Sequence, residues 1–204
     1  MKVESDFQFL IKIVVVGDSG VGKTNFIFQF IEGKFSEMYI STTGFDYKSK
    51  VINLPNYKKK VKLQVWDTAG QERYMSVNKN IFQRVQGLVL MYDITDRDSF
   101  EHITNWLNLI SQVVPNKPLI LVGNKIDLSE KERIVSEEEA KKIASKNNID
   151  FFEASGYSGE NVEKVFESIA EKIYTNLVQE GLDNSDNNIS INSIDDNQKK
   201  KCCG

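Results

Sequence analysis

The stretch from Ile13 to Thr24 constrains this chain more than any other. Four branched apolar residues, Ile13-Val14-Val15-Val16, run without a break into Gly17-Asp18-Ser19-Gly20-Val21-Gly22-Lys23-Thr24. A near-continuous apolar run fits a strand covered on both faces, the kind found in parallel sheets of α/β folds. The eight residues after it follow the pattern Gly-x-x-x-x-Gly-Lys-Ser/Thr, and an apolar helical pattern follows them in turn. Glycines in such a turn let the backbone close around an anion, with successive N–H groups and the helix N-terminus converging on phosphate. Lys23 supplies a point charge to the β and γ phosphates, the Thr24 hydroxyl is suited to ligate Mg2+, and the N–H of Asn25 reaches the α phosphate. A chance glycine turn between strand and helix is the bland alternative, and the motif's placement argues against it.

The rest of the chain repeats the strand–helix alternation from about residue 9 to 178. Leu88–Tyr92 and Leu119–Val122 are two more apolar runs, and Asp150–Phe152 opens a fourth. Lys62–Trp66 instead alternates polar and apolar, as Phe45–Val51 does more loosely, which predicts an antiparallel edge pair with one wetter face. Helix starts are predicted at Asp98-Ser99-Phe100-Glu101 and Ser136-Glu137-Glu138-Glu139, each a capping side chain with Glu three residues on. Val162, Val165, Phe166, Ile169, Ile173 and Leu177 make one buried helical stripe. After Gly181 the composition turns to Asp, Asn and Ser, ending Lys199-Lys200-Lys201-Cys202-Cys203-Gly204. The reading is a domain over 1–178 and a disordered tail over 179–204.

Phosphates look alike, so the base must be read elsewhere. Asn124-Lys125-Ile126-Asp127 follows the Leu119–Val122 strand, at the strand end where open α/β sheets bind ligands. A carboxylate accepts from both N1–H and the exocyclic amine of guanine, whereas adenine would turn a lone pair toward it. Two charge-assisted hydrogen bonds discriminate by roughly a hundredfold to ten-thousandfold. Asp127 therefore selects guanine, the stem of Lys125 lies on the base, and Asn124 ties this loop to the phosphate loop.

These motifs, with Trp66-Asp67-Thr68-Ala69-Gly70-Gln71-Glu72, Tyr39–Tyr47 and Phe152-Glu153-Ala154-Ser155, resemble the small Ras-like GTPases over residues 8–178, and the Rab branch in particular. Lys62–Trp66 and Arg73–Val77 are Rab-like. The resemblance implies a P-loop small G domain: a six-stranded, mostly parallel sheet with one antiparallel strand, flanked by five helices. It implies that Thr42 reaches Mg2+ and the γ phosphate only in the triphosphate state, and that Asp67 holds a metal-bound water. It further implies that Gly70 offers its N–H to the γ phosphate and that Gln71 orients the attacking water. Phe35 matches the aromatic packed against the base, and Ser155 and Gly156 belong to the last nucleotide loop, with the Gly156 N–H directed at the guanine O6. Three departures stand out. Ser155-Gly156-Tyr157 replaces the usual Ser-Ala-Lys, Ile81–Val85 replaces a Rab pattern after the second switch, and Thr43 stands where Ile is customary.

The tail resembles the double-cysteine ends of Rabs, where Cys202 and Cys203 would each take a geranylgeranyl group. Two lipids hold a protein firmly to a bilayer, and three lysines add about 1 kcal/mol each at an anionic leaflet. The implied partners are GTP and GDP, an exchange factor, an activating protein, a dissociation inhibitor and effectors of vesicle traffic, for a monomer at the cytoplasmic face of an intracellular membrane with a cytosolic pool. A formal net charge of -3 argues against nucleic acid, which requires phosphate neutralisation. No run of about 18 uncharged apolar residues marks a membrane span. The alternative function is a guanine-nucleotide-binding adaptor without useful turnover; a nucleotide kinase is disfavoured for want of a lid or second acceptor site. His102, the single histidine, reads as structural or solvated.

Overall fold

The computed structural model describes residues 7–35, 45–68, 82 and 84–181. Six strands form one sheet: β1 (Phe9–Gly17), β2 (Phe45–Leu54), β3 (Lys59–Thr68), β4 (Gly87–Asp93), β5 (Leu119–Asn124) and β6 (Asp150–Glu153). Their order is β2-β3-β1-β4-β5-β6. Every neighbouring pair is parallel except β2 and β3. The helices are α1 (Lys23–Glu32), α2 (Arg97–Glu101), α3 (Ile103–Val113), α4 (Ser129–Glu132), α5 (Glu137–Lys146) and α6 (Val162–Gln179). This is the mostly parallel sheet with one antiparallel strand, flanked by helices, that the sequence leads one to expect.

The apolar runs behave as their composition demands. All seven residues of β4 are buried, as are the last five of β1 and of β5, because helices cover both faces of the sheet. Alternate side chains feed two half-cores. On one face Val14, Val16, Leu88, Leu90, Tyr92 and Leu121 join Ile103, Trp106 and Ile110 of α3 and Ala140 and Ala144 of α5. On the other, a Cβ at Gly87 would lie 2.7 Å from Ile173 of α6, and Phe166 of α6 stacks on Phe30 of α1 with ring centroids 4.0 Å apart. The antiparallel pair turns through a 3-10 turn at Pro55–Tyr57 and shows the expected wetter face, with alternate residues of β3 only half-buried.

One predicted helix start shifts. The N-cap of α2 is Asp96, whose side chain accepts from the Asp98 N–H, so the helix begins at Arg97 rather than after Asp98. Asp98 lies in the first turn, where a carboxylate favours the helix dipole without capping it. The Ser136 cap is where the sequence puts it, with both halves of the capping box present.

The chain divides into two units, Met1–Ile173 and Tyr174–Gly204. Of the second, the described part continues α6 to Gln179 and ends in a turn at Gly181. No helix among the described residues is long and apolar enough to cross a membrane. β3 lies on one side of β1 and β4 on the other, so the chain leaves the carboxyl end of β1 at a reversal of strand order, the place where open sheets bind ligands.

Candidate nucleotide site

The phosphate loop opens where β1 ends. Gly17 (φ +140°) passes so close to β4 that a Cβ there would lie 2.2 Å from the Met91 carbonyl oxygen. No larger residue fits. Gly22, at φ +93°, is the N-cap of α1 and has no side chain to satisfy the helix's first N–H groups, and the first turn carries no acidic residue. Those donors and the positive end of the helix dipole are thus left for an anion.

Lys23 is buried beneath the loop. Its Nζ donates to the carbonyls of Gly17 at 2.9 Å and Asp18 at 2.7 Å. Burial lowers its pKa from 10.5 to about 8, against the opposing pull of Asp67 and Asp18. Next to it, the Thr24 hydroxyl donates to Asp67 Oδ2 at 2.7 Å, which brings the start of α1 to the end of β3. A hydroxyl and a carboxylate side by side form a hard-oxygen donor set, the chemistry that suits Mg2+. The residues present fit that ion.

The second loop is joined to the first by Asn124. Its Nδ2 donates to the Val21 carbonyl at 2.8 Å, and its Oδ1 accepts from the Gly156 N–H at 3.0 Å. One buried amide therefore links all three loops. In this arrangement the Gly156 N–H is engaged by Asn124 rather than presented outward. Gly156 itself packs on α1: a Cβ there would lie 3.2 Å from the Phe26 N and Cα. Ser155 Oγ donates to Asp127 Oδ1 at 2.5 Å while accepting from the N–H groups of Tyr157 and Ser158, so the last loop orients the carboxylate expected to read the base.

Lys125 stands at φ +72° and its Nζ meets Asp93 Oδ2 at 2.6 Å, with its Cε 4.0 Å from where a Gly22 Cβ would be. Its stem thus lies along the phosphate loop. Asp93, at the end of β4, also accepts from the N–H and hydroxyl of Thr95. The sequence reading missed Asp93; the available signal was a carboxylate closing a fully apolar strand at its carboxyl end. It also missed any role for Tyr157, whose ring meets that of Phe35 edge-on at 4.9 Å and 70°. Both rings are exposed, Tyr157 at 62% and Phe35 at 38%.

The structure therefore gathers Gly17 to Asn25, Asp67, Asn124, Lys125, Asp127, Ser155 and Gly156 at one end of the sheet, with Phe35 beside Tyr157. Thr42, Gly70, Gln71, Cys202 and Cys203 lie outside the described residues.

Comparison with known proteins points the same way. The model of the Ras family matches residues 12–175. Ras-related protein Rab-1 of Theileria parva is 40% identical over 92% of this chain and 85% of its own. Ras-related protein RAB1BV of Beta vulgaris is 39% identical over 100% of this chain and 97% of its own. Ras-related protein SEC4 of Candida albicans is 38% identical over 97% and 95%. A lysine-floored phosphate loop tied through one asparagine to a carboxylate-bearing base loop, on this sheet and with these relatives, means that the chain belongs to the Ras family and is a small GTPase of its Rab branch.

Proposed function

We propose that the chain is a membrane-recruited switch that alternates between GDP- and GTP-bound forms, hydrolyses GTP slowly, and recruits effectors of vesicle traffic in the GTP form. The observation that carries the reading is the double tie of Asn124 to the Val21 carbonyl and the Gly156 N–H. It ties the loop after β1 to the loops that carry Asp127 and Ser155, which supports the reading that one nucleotide spans both.

On binding, Lys23 exchanges its two loop carbonyls for the β and γ phosphates, and the uncapped start of α1 receives the phosphate oxygens. Thr24 and Asp67, joined by Thr42, would hold Mg2+, which when bound would supply positive charge beside the phosphates. Gln71 positions a water in line with the γ phosphorus; the water oxygen bonds to it as the bond to the β–γ bridging oxygen breaks, giving GDP and phosphate. No covalent step involves the protein. Unassisted turnover is expected on the order of 10^-4 per second, accelerated by an activating protein acting in trans. Loss of the γ phosphate removes the contacts of Thr42 and Gly70, so the segments 35–47 and 68–80 relax together and effectors leave.

Cys202 and Cys203, doubly geranylgeranylated, would anchor the chain to the cytoplasmic face of an intracellular membrane. The tail over 179–204 gives a reach of roughly 25 to 30 Å, and a dissociation inhibitor would maintain the cytosolic pool. An unchanged intact mass from native cells would rule the lipids out. For the nucleotide, calorimetry with GDP and ADP is decisive. The wild-type chain should prefer the guanine nucleotide, and Asp127→Ala should reduce that preference by about a hundredfold. Equal affinity for both nucleotides, or an unaltered preference in the variant, would overturn the reading.

A further inference from the structure

Asp18 poses a problem that the nucleotide site leaves unanswered. A carboxylate inside an anion cradle repels the ligand unless it is turned away and held. The structure does both. Trp106 Nε1 donates to Asp18 Oδ1 at 2.7 Å, and His102 Nδ1 lies 2.5 Å from Asp18 Oδ2. Trp106 is 4% exposed and fixed in the core by α3, whereas the imidazole, at the junction of α2 and α3, is 52% exposed. An ionised carboxylate only accepts, so Nδ1 carries the proton in this contact. The backbone carbonyl of the same Asp18 accepts from Lys23. One residue therefore connects α3 to the ammonium at the floor of the cradle.

We propose, resting on the nucleotide-switch reading above, that His102 and Trp106 are positioning residues. By gripping the Asp18 carboxylate they hold the phosphate loop in its receiving shape, and they do so more tightly when His102 is an imidazolium, so that nucleotide release slows as pH falls. Releasing a diphosphate requires the loop to give up its converging N–H groups, and a loop pinned at Asp18 opens less often. A charge-assisted hydrogen bond is stronger than a neutral one. Imidazole is the side chain that changes charge between pH 5 and 8, and the chain has one histidine, so no second imidazole confuses the readout.

The charged groups around the ring come from four places. Asp18 faces it from the phosphate loop, and Asp96 lines the same small cavity together with Ser19, Asn105 and Leu109. Asp98, whose carbonyl accepts the His102 N–H, and Glu101, paired with Arg97 at 3.3 Å, come from α2. Lys23 lies behind Asp18. The Asp96 carboxylate accepts from the Asp98 N–H, Glu101 is paired with Arg97, and the Asp18 carboxylate meets the imidazole at 2.5 Å.

The test uses the full chain loaded with a fluorescent GDP analogue and chased with excess GDP at constant Mg2+, from pH 5.5 to 7.5. Wild-type release should quicken about fivefold across that range. His102→Asn, a neutral donor, should release fast at every pH, whereas His102→Lys, charged throughout, should release slowly at every pH. Trp106→Phe, which keeps the ring but not the indole N–H, should raise the rate at all pH values and leave the slope. A wild type without slope, or His102→Asn with the wild-type slope, overturns the clamp while leaving the switch reading intact. A chain that does not load with GDP overturns both.

Discussion

The N-termini of α1 and α5 present the same physics with opposite solutions. Each exposes unpaired N–H groups at the positive end of a helix dipole. At α5 the protein satisfies them itself. Ser136 Oγ accepts from the Glu139 N–H at 3.3 Å, Glu139 Oε2 accepts from the Ser136 N–H at 3.1 Å, and three glutamates fill the first turn. At α1 nothing of the kind occurs: the cap is a glycine, the first turn has no acid, and a lysine occupies its first position. The first arrangement spends the helix end on stability. The second reserves it for a ligand, and the reserved end lies beside the carboxylate of Asp67 and within reach of the base loop through Asn124.

The comparison breaks most visibly at Gly22. A Cβ there would lie 2.6 Å from Asn124 Nδ2, and Asn124 cannot swing aside without releasing both Val21 and Gly156. The φ of +93° adds strain for any other residue. Gly22→Ala should weaken GDP binding about a hundredfold or more, as small displacements of a converging site do. Calorimetry on a variant shown folded by circular dichroism checks it, and affinity within threefold of wild type would mean that the uncapped end is not the anion site.

The next effect sharpens the same contrast through protons. Burial lowers the Lys23 pKa to about 8 without ligand, and phosphate beside it must raise that value. With the bound pKa above the free one, affinity is full below pH 8. It falls as pH rises from 8 toward the bound value, by up to about tenfold per pH unit. Binding at pH 9 should therefore take up protons, visible as a buffer-dependent enthalpy, while binding at pH 6.5 should take up few. Equal enthalpies in buffers of different ionisation heat at pH 9 would show that Lys23 does not meet the phosphates.

How much of this the sequence discloses depends on whether the relevant force is local. The β1 and β5 strands, the edge pair and the Ser136 cap are legible because apolar runs, alternation and capping residues act over a few positions. The phosphate loop is legible for the same reason, since eight consecutive residues carry its whole geometry. Asp93 and Tyr157 are not, because their roles arise only when β4 and the loop after β6 meet Lys125 and Phe35 in space. His102 is the sharpest case. It lies 84 residues from Asp18, and nothing within its own helix distinguishes it from a solvated histidine. The α2 start was misplaced by competition between two nearby aspartates, of which the earlier one reaches the right N–H.

At α5 the effects are smaller and should leave the nucleotide untouched. Ser136→Ala removes the cap and should cost about 1 kcal/mol, a drop in melting temperature of about 2 to 4 °C, with GDP affinity unchanged. Glu139 gives the smallest and most diagnostic effect. The hydrogen bond from Arg97, then those from the Ser136 N–H and hydroxyl, hold its pKa at about 2 instead of 4.5. A carboxylate depressed in the folded state stabilises it above its unfolded pKa, and that contribution fades as pH falls from about 4.5 to about 2. The pair with Arg97 is half-exposed, so solvent and salt keep the effect small. Glu139→Gln keeps an oxygen acceptor and removes only the charge. Its melting temperature should lie below wild type at pH 6, and the gap should close as the pH approaches 2. A gap that stays constant over this range would place the stabilisation in the shape of the cap rather than its charge, and the contrast with α1 would then rest on hydrogen bonding alone.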